Sequence, residues 1–299
     1  MTYRLGLNTG FAVNRYCEPE AWVAIAREAG VQTVQFTADL LNVSLPKSVI
    51  ASQTNRIVKA CEANGVTVTS TFTGAFTRVN HLAHPDEEIR QYWVSWFKDF
   101  ASLTVDLGAN SMGSHFGIFS AWDNNRPADR SLRRDQNIQG WHSIGEYANR
   151  IGLEFLTWEP MSISREQGET IGECRSLQND VNRGAPIPFK ICLDVDHGDV
   201  SSGDPRDVDP YEWLREFAVE SPIIHLKQSS ANKSGHWPFT KEYNETGKIK
   251  PEAVINVLRS SGVTEVDLML ELSFRERQPA DSTVLEVLQE SVAYWKPHI

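Results

Sequence analysis

The sequence predicts a single (β/α)8 TIM barrel spanning residues 1–299. Three observations carry that expectation. Short strand-like runs alternate with amphipathic helical runs eight times. A glycine often stands just past a helical run, where a left-handed C-terminal cap would fall. No break in composition marks a second domain. Strict βα alternation implies a parallel sheet with helices outside it. Eight units in 299 residues suit a closed barrel. An open doubly wound sheet is the alternative, weakened because residues 6–11 read Gly6-Leu7-Asn8-Thr9-Gly10-Phe11 and lack GxGxxG.

The elements follow in order. Residues 4–8 form a first strand. Residues 18–29 form a helix, with Trp22, Ile25, Ala26 and Ala29 at helical spacing and Gly30 as its stop. A strand over 31–36 precedes a helix over 46–64, opened by Pro46 and closed by Gly65. Val and Thr alternate in a strand over 66–72. The helix over 86–107 carries Ile89, Trp93, Trp96, Phe97, Phe100 and Leu103 on one stripe, read as core packing. A strand over 110–115 and a helix over 127–150 come next. The strand over 153–159 ends in Glu159-Pro160, and Ser164 is placed as N-cap of a helix over 164–182. Then come a strand over 190–196, a helix over 209–217 and a strand over 223–227. Residues 228–247 read as a polar loop. A helix over 251–260, a strand over 266–273 and a helix over 281–294 complete the chain.

Composition restricts the function. The net charge is −10 with no basic run, which disfavours nucleic acid as partner because phosphate contacts need a Lys/Arg patch. One or two local cations would still suit a small anionic substrate. Cys17, Cys61, Cys174 and Cys192 form neither a CxxC pair nor a dense framework. No stretch has the length of a membrane span, and the N-terminus lacks a signal-peptide pattern. The expectation is a cytoplasmic protein with no membrane partner.

Chemistry collects around residues 190–199, KICLDVDHGD. Alternation sets Asp194 and Asp196 on one face, with His197 beyond them at the strand end. A carboxylate buried there needs a cation or hydrogen bonds. A turn held by Asp and Gly is the plainer alternative. A barrel gathers catalytic groups from the C-terminal ends of several strands. The fourth to eighth predicted strands each supply one: His115, Glu159, Asp194 with His197, His225, and Glu271. Glu159, Asp194, His225 and Glu271 would give a divalent cation three carboxylates and one imidazole. Such donors favour Mn²⁺ or Mg²⁺, tolerate Co²⁺ and suit Zn²⁺ less.

These residues resemble those of the xylose isomerase-like barrels, which include sugar isomerases, ketose 3-epimerases, inosose dehydratases and endonuclease IV-type nucleases. The resemblance covers nearly the whole chain. Its most specific part is the ordered set Glu159, Asp194-x-x-His197, His225, Glu271. It implies that Glu159, Asp194, His225 and Glu271 bind the metal and that His197 touches substrate. The strings GLNTGFAVNR, FTRVNHLAHPDEE and GSHFG resemble erythrulose-phosphate epimerases.

The implied reaction is epimerisation or isomerisation of a small keto-sugar or its phosphate through an enediolate. Glu159 and Glu271 would pass the proton, while His115 and His197 hold hydroxyls or the oxyanion. One departure stands out: related epimerases place a substrate-contacting Arg where this chain has Ala231. Lys227, Lys233 or Arg275 could supply that cation. His236 and Trp237 could cover the mouth, or pack on its rim; Phe76 and Trp122 pose the same choice. Decarboxylation of an oxo-sugar acid is the alternative on the same scaffold. An abasic-site nuclease would need a zinc cluster and further histidines, and the third strand offers Thr71 and Thr73. A non-catalytic sugar-binding module would not require three carboxylates around one ion. A homo-oligomer is compatible with the sequence.

Overall fold

A computed structural model describes residues 1–78, 82–230, 233–274 and 281–299. Its strands are β1 (Thr2–Asn8), β2 (Thr33–Thr37), β3 (Thr67–Phe72), β4 (Ser111–His115), β5 (Phe155–Glu159), β6 (Phe189–Asp194), β7 (Ile223–Leu226), β8 (Gln228–Ser230), β9 (Lys233–Trp237) and β10 (Glu265–Leu270). Its helices are α1 (Pro19–Glu28), α2 (Lys47–Asn64), α3 (Glu87–Asp106), α4 (Ala121–Asn124), α5 (Pro127–Ile151), α6 (Ile171–Asn182), α7 (Pro210–Phe217), α8 (Lys241–Thr246), α9 (Pro251–Ser260) and α10 (Val284–Trp295). Eight strands close in the order β1-β10-β7-β6-β5-β4-β3-β2, and β2 pairs back with β1. Every pair in that ring is parallel, as the βα alternation requires.

Register decides which side chains meet. Asn8 pairs with Gln35, His115 with Glu159, and Asp194 with His225, all at the C-terminal end of the ring. The Glu271 N–H donates to the Leu226 carbonyl at 2.9 Å, so the ladder carries Glu271 to the same level. The main core lies between sheet and helices: Trp22 against Phe36, and Trp141 against Phe97 and Phe116. The α3 stripe is buried at Trp96, Phe97, Phe100 and Leu103, but Ile89 in its first turn is exposed and Val94 is buried as well. A smaller cluster of Phe72, Cys192, Ile223 and Met269 is separate from that main core. A β-carbon on Gly113 would stand 2.4 Å from the Phe72 ring, so the glycine makes room for it. The Phe72 ring in turn meets the His225 imidazole edge-on at 5.2 Å.

Two expectations need correction. The polar loop over 228–247 contains a β8–β9 antiparallel hairpin and α8. The segment from Ser164 is not one helix. Residues Ser164–Glu166 form a 3-10 turn, and α6 starts at Ile171. Gln167 and Gly168 take φ of 68° and 77°, outside helical space. Thr170 caps α6 through Oγ1 to the Glu173 N–H at 3.1 Å. Its Thr-x-x-Glu spacing is that of a capping box.

Candidate active site

At the C-terminal end of the ring lies a cleft of about 670 Å³. Asn8, Asp39, Arg78, His115, Glu159, His197, His236 and Glu271 are on its wall, with Phe72 and Phe76. A depression of about 690 Å³ at the other end includes Arg4, Lys190 and Asp267 but no histidine. Chemistry in this architecture belongs to the C-terminal end.

Glu159, at the end of β5, is buried. Its Oε1 lies 3.0 Å from His225 Nδ1 and its Oε2 lies 3.3 Å from His115 Nε2. Burial pushes the Glu159 carboxyl up, but His197, His225 and the hydrogen bond from His115 outweigh it and hold the group well below the usual range. Asp194 ends β6. Its Oδ1 accepts the Asp196 N–H at 2.7 Å, and its Oδ2 lies 2.8 Å from Lys227 Nζ. His225 lies on β7 with Nδ1 3.6 Å from Glu271 Oε2. Burial would lower its pKa, but Cys192, Glu271 and Glu159 raise it well above the ordinary value. Glu271 meets His236 Nδ1 at 3.2 Å. Burial raises the Glu271 carboxyl, while His225 and His236 lower it further, leaving a net depression.

One donor atom each from Glu159, Asp194, His225 and Glu271 lies within 4.8 Å of the other three. That donor set fits a hard divalent cation. Asp194 Oδ2, paired with Lys227, and Glu271 Oε2, paired with His236, are both buried atoms, and each oxygen has a second lone pair for an ion.

The remaining expected residues fall into three groups. His115 and His197 line the cleft beside Glu159, and His197 Nδ1 is 2.9 Å from the Pro160 carbonyl. A carbonyl only accepts, so that nitrogen carries the proton. Burial keeps the His197 pKa low. Lys227 is buried behind the wall, 3.1 Å from His197 Nε2 and 3.2 Å from His236 Nε2. With Asp194 these give its three N–H bonds three partners. Burial opposes its charge, but Asp194, Glu271 and Glu159 raise its pKa. Trp237 is not on the cleft wall; it stacks on Tyr243 of α8 at 5.2 Å. Arg275 and Ala231 lie outside the described residues, and Lys233 is described only as the start of β9. Phe76 lines the cleft, whereas Trp122 lies under the Arg126 guanidinium.

Two features of the site went unread in the sequence, and a third, Asp196, was read only for its face and its turn. Asn8 and Gln35 extend the polar cluster to β1 and β2. Gln35 was legible as the centre of Thr33-x-Gln35-x-Thr37, a polar face on a buried strand. Arg78 stands on the wall after β3, with its guanidinium 3.5 Å from Glu166. Asp196 ties down the hairpin. It accepts from Ser229 Oγ at 2.6 Å and Gly235 N at 3.3 Å, and pairs with Lys248 at 2.9 Å.

Comparison with known proteins agrees with this architecture. The xylose isomerase-like TIM barrel family matches residues 23–297. A D-erythrulose 1-phosphate 3-epimerase from Brucella abortus (strain 2308) is 43% identical over 301 residues, covering 100% of this chain and 97% of that protein. A candidate xylose isomerase from Rhodospirillum rubrum ATCC 11170 superposes with TM-score 0.90 at 24% identity, covering 99% of each chain. A D-psicose 3-epimerase from Clostridium cellulolyticum H10, solved with D-tagatose, gives TM-score 0.71 at 13% identity and covers 98% of each chain. The chain therefore belongs to the xylose isomerase-like TIM-barrel family, as an isomerase-class enzyme of the epimerase kind.

Proposed function

We propose that the protein is a divalent metal-dependent 3-epimerase of a short keto-sugar phosphate, D-erythrulose 1-phosphate or a close analogue. The observation that carries this reading is the pair of carboxylates, Glu159 and Glu271, that converge on His225 Nδ1 at 3.0 and 3.6 Å from two different strand ends. The relative that is 43% identical over the full chain supports the substrate class.

Glu159, Asp194, His225 and Glu271 are the residues that would hold the cation, with Mn²⁺ or Mg²⁺ best suited to their oxygens. When bound, the cation supplies positive charge beside the substrate carbonyl and so acidifies the neighbouring C–H. Glu159, kept ionised, takes the proton from the hydroxyl-bearing carbon. Glu271 returns a proton on the opposite face. Its partner His236, whose pKa its carboxylate helps to raise against burial and Lys227, resupplies that proton from the cleft. His115 and His197 line the cleft beside Glu159, with Lys227 charged behind them, an arrangement suited to stabilising an oxyanion. Arg78 is the one Arg or Lys among the described residues of the cleft wall, and it suits the phosphate end. A homo-oligomer is compatible with this reading and is not needed for the site.

The test is incubation of the Mn²⁺-loaded protein with D-erythrulose 1-phosphate in D₂O. Epimerisation puts deuterium on the carbon that inverts, beside the carbonyl. Release of a carbon fragment, or no exchange at all, would sink the proposal.

A further inference from the structure

The opening string GLNTGF has no place in the chemistry so far, yet its Asn8 stands at the end of a buried chain of hydrogen bonds that reaches His225. The Gly10 N–H donates to Asn8 Oδ1 at 2.8 Å. A backbone N–H can only donate, so this contact fixes which end of the amide is oxygen. The other end, Asn8 Nδ2, therefore faces Gln35, and it donates to Oε1 at 2.8 Å. That same Oε1 is 2.7 Å from His225 Nε2. The oxygen cannot donate, so Nε2 must carry a proton. The unprotonated nitrogen of the neutral ring is then Nδ1, which faces Glu159 and Glu271.

We propose that Asn8 and Gln35 are positioning residues that fix the His225 tautomer and present its Nδ1 lone pair to the cation. The proposal rests on the metal reading above. One further observation supports it. Asn8 and Gln35 are register partners on adjacent strands, so the sheet holds both amides in place. Keeping Oε1 toward His225 does cost a buried Gln35 Nε2 without a partner. Turning the amide over would set Nε2 against Asn8 Nδ2, which the Gly10 N–H forbids. The neighbouring thiol does not upset the assignment. Cys192 Sγ lies 3.3 Å from the same His225 nitrogen. Its sulfur can accept weakly from Nε2–H.

Three variants test this, with Mn²⁺ affinity read by calorimetry and the fold checked by thermal melting. Gln35→Leu removes the acceptor and is expected to weaken Mn²⁺ binding about 10–100-fold, as loss of an outer partner of a metal-binding histidine does. Gln35→Glu keeps an acceptor and should hold affinity within about threefold of the unmodified protein, well short of that loss. Asn8→Asp keeps the size but presents a second oxygen to Gln35. The amide then turns, Nε2 of His225 becomes the acceptor, and affinity falls; this variant decides the matter if Gln35→Leu does not fold. Nitrogen-15 spectra of the metal-free protein at alkaline pH read the tautomer directly. A proton on Nδ1 in the unmodified protein, or unchanged Mn²⁺ affinity in Gln35→Leu and Asn8→Asp, overturns the proposal. A correct tautomer with no Mn²⁺ binding at all would instead fault the metal reading.

Discussion

At the scale of single residues, the site is a balance of charges that burial makes expensive to disturb. Glu271→Gln keeps the volume and removes a proton carrier, so turnover should fall by about 10²–10⁴-fold with the melting temperature nearly unchanged. Turnover equal to the parent's would remove Glu271 from the mechanism. Arg78→Ala should act differently. Losing a charge-assisted hydrogen bond costs about 1.5–3 kcal/mol, or roughly 10–150-fold in KM for a phosphorylated substrate, with kcat little changed. A loss felt mainly in kcat would place Arg78 elsewhere. Proton competition gives a third expectation. His225 has its pKa raised, so in metal-free protein a proton competes for its ring to higher pH than on an ordinary imidazole. A cation must displace that proton, and Mn²⁺ affinity should therefore rise with pH toward the raised value. Glu159 and Glu271 are held low, so their protons compete only below about pH 4–5, near the ordinary carboxyl pKa. Calorimetry in buffers of different ionisation enthalpy would count the proton released; affinity independent of pH would contradict the assignment.

At the scale of elements, what could be read from the sequence depended on how each element gains stability. The barrel strands advertised themselves because burial needs apolar runs, and the helices because one face is apolar. The hairpin β8–β9 could not be read this way. Its residues, Gln-Ser-Ser and Lys-Ser-Gly-His-Trp, show no apolar alternation. It is held by polar contacts to Asp196, a partner distant in sequence, and by stacking of Trp237 on Tyr243 of the following helix. The strand-end rule found His115, Glu159, Asp194, His225 and Glu271 because acids and imidazoles attract notice. It passed over Asn8 and Gln35 because Asn8 at a strand end reads as turn and Gln35 stands within its strand, not at its end. Asp196→Ala should loosen the hairpin selectively, with faster amide exchange at Gly235 and little change in the barrel. Uniform destabilisation of the whole molecule would count against a local anchoring role. Gly113→Ala should be costlier to the fold, by about 1–3 kcal/mol, since the new methyl meets Phe72 and Thr157. Denaturant midpoints would measure it.

At the scale of the whole molecule, the ring closes by pairing β1 with β10 over six residue pairs, the longest register of any neighbours in it. Three of the four candidate cation donors come from β5, β6 and β7, and the fourth follows β10, the last strand in the chain. A nascent chain that has emerged only as far as β7 thus carries three donors and no complete site. Pairing of β10 with β7 and capture of the ion then form one linked equilibrium, because that pairing brings the fourth donor to the other three. An ion at about a hundred times its dissociation constant adds roughly 2.7 kcal/mol to such a state. The cation would serve as a clasp beside the β7–β10 pairing, fastening the last-made strand to the middle of the chain at the moment synthesis delivers it.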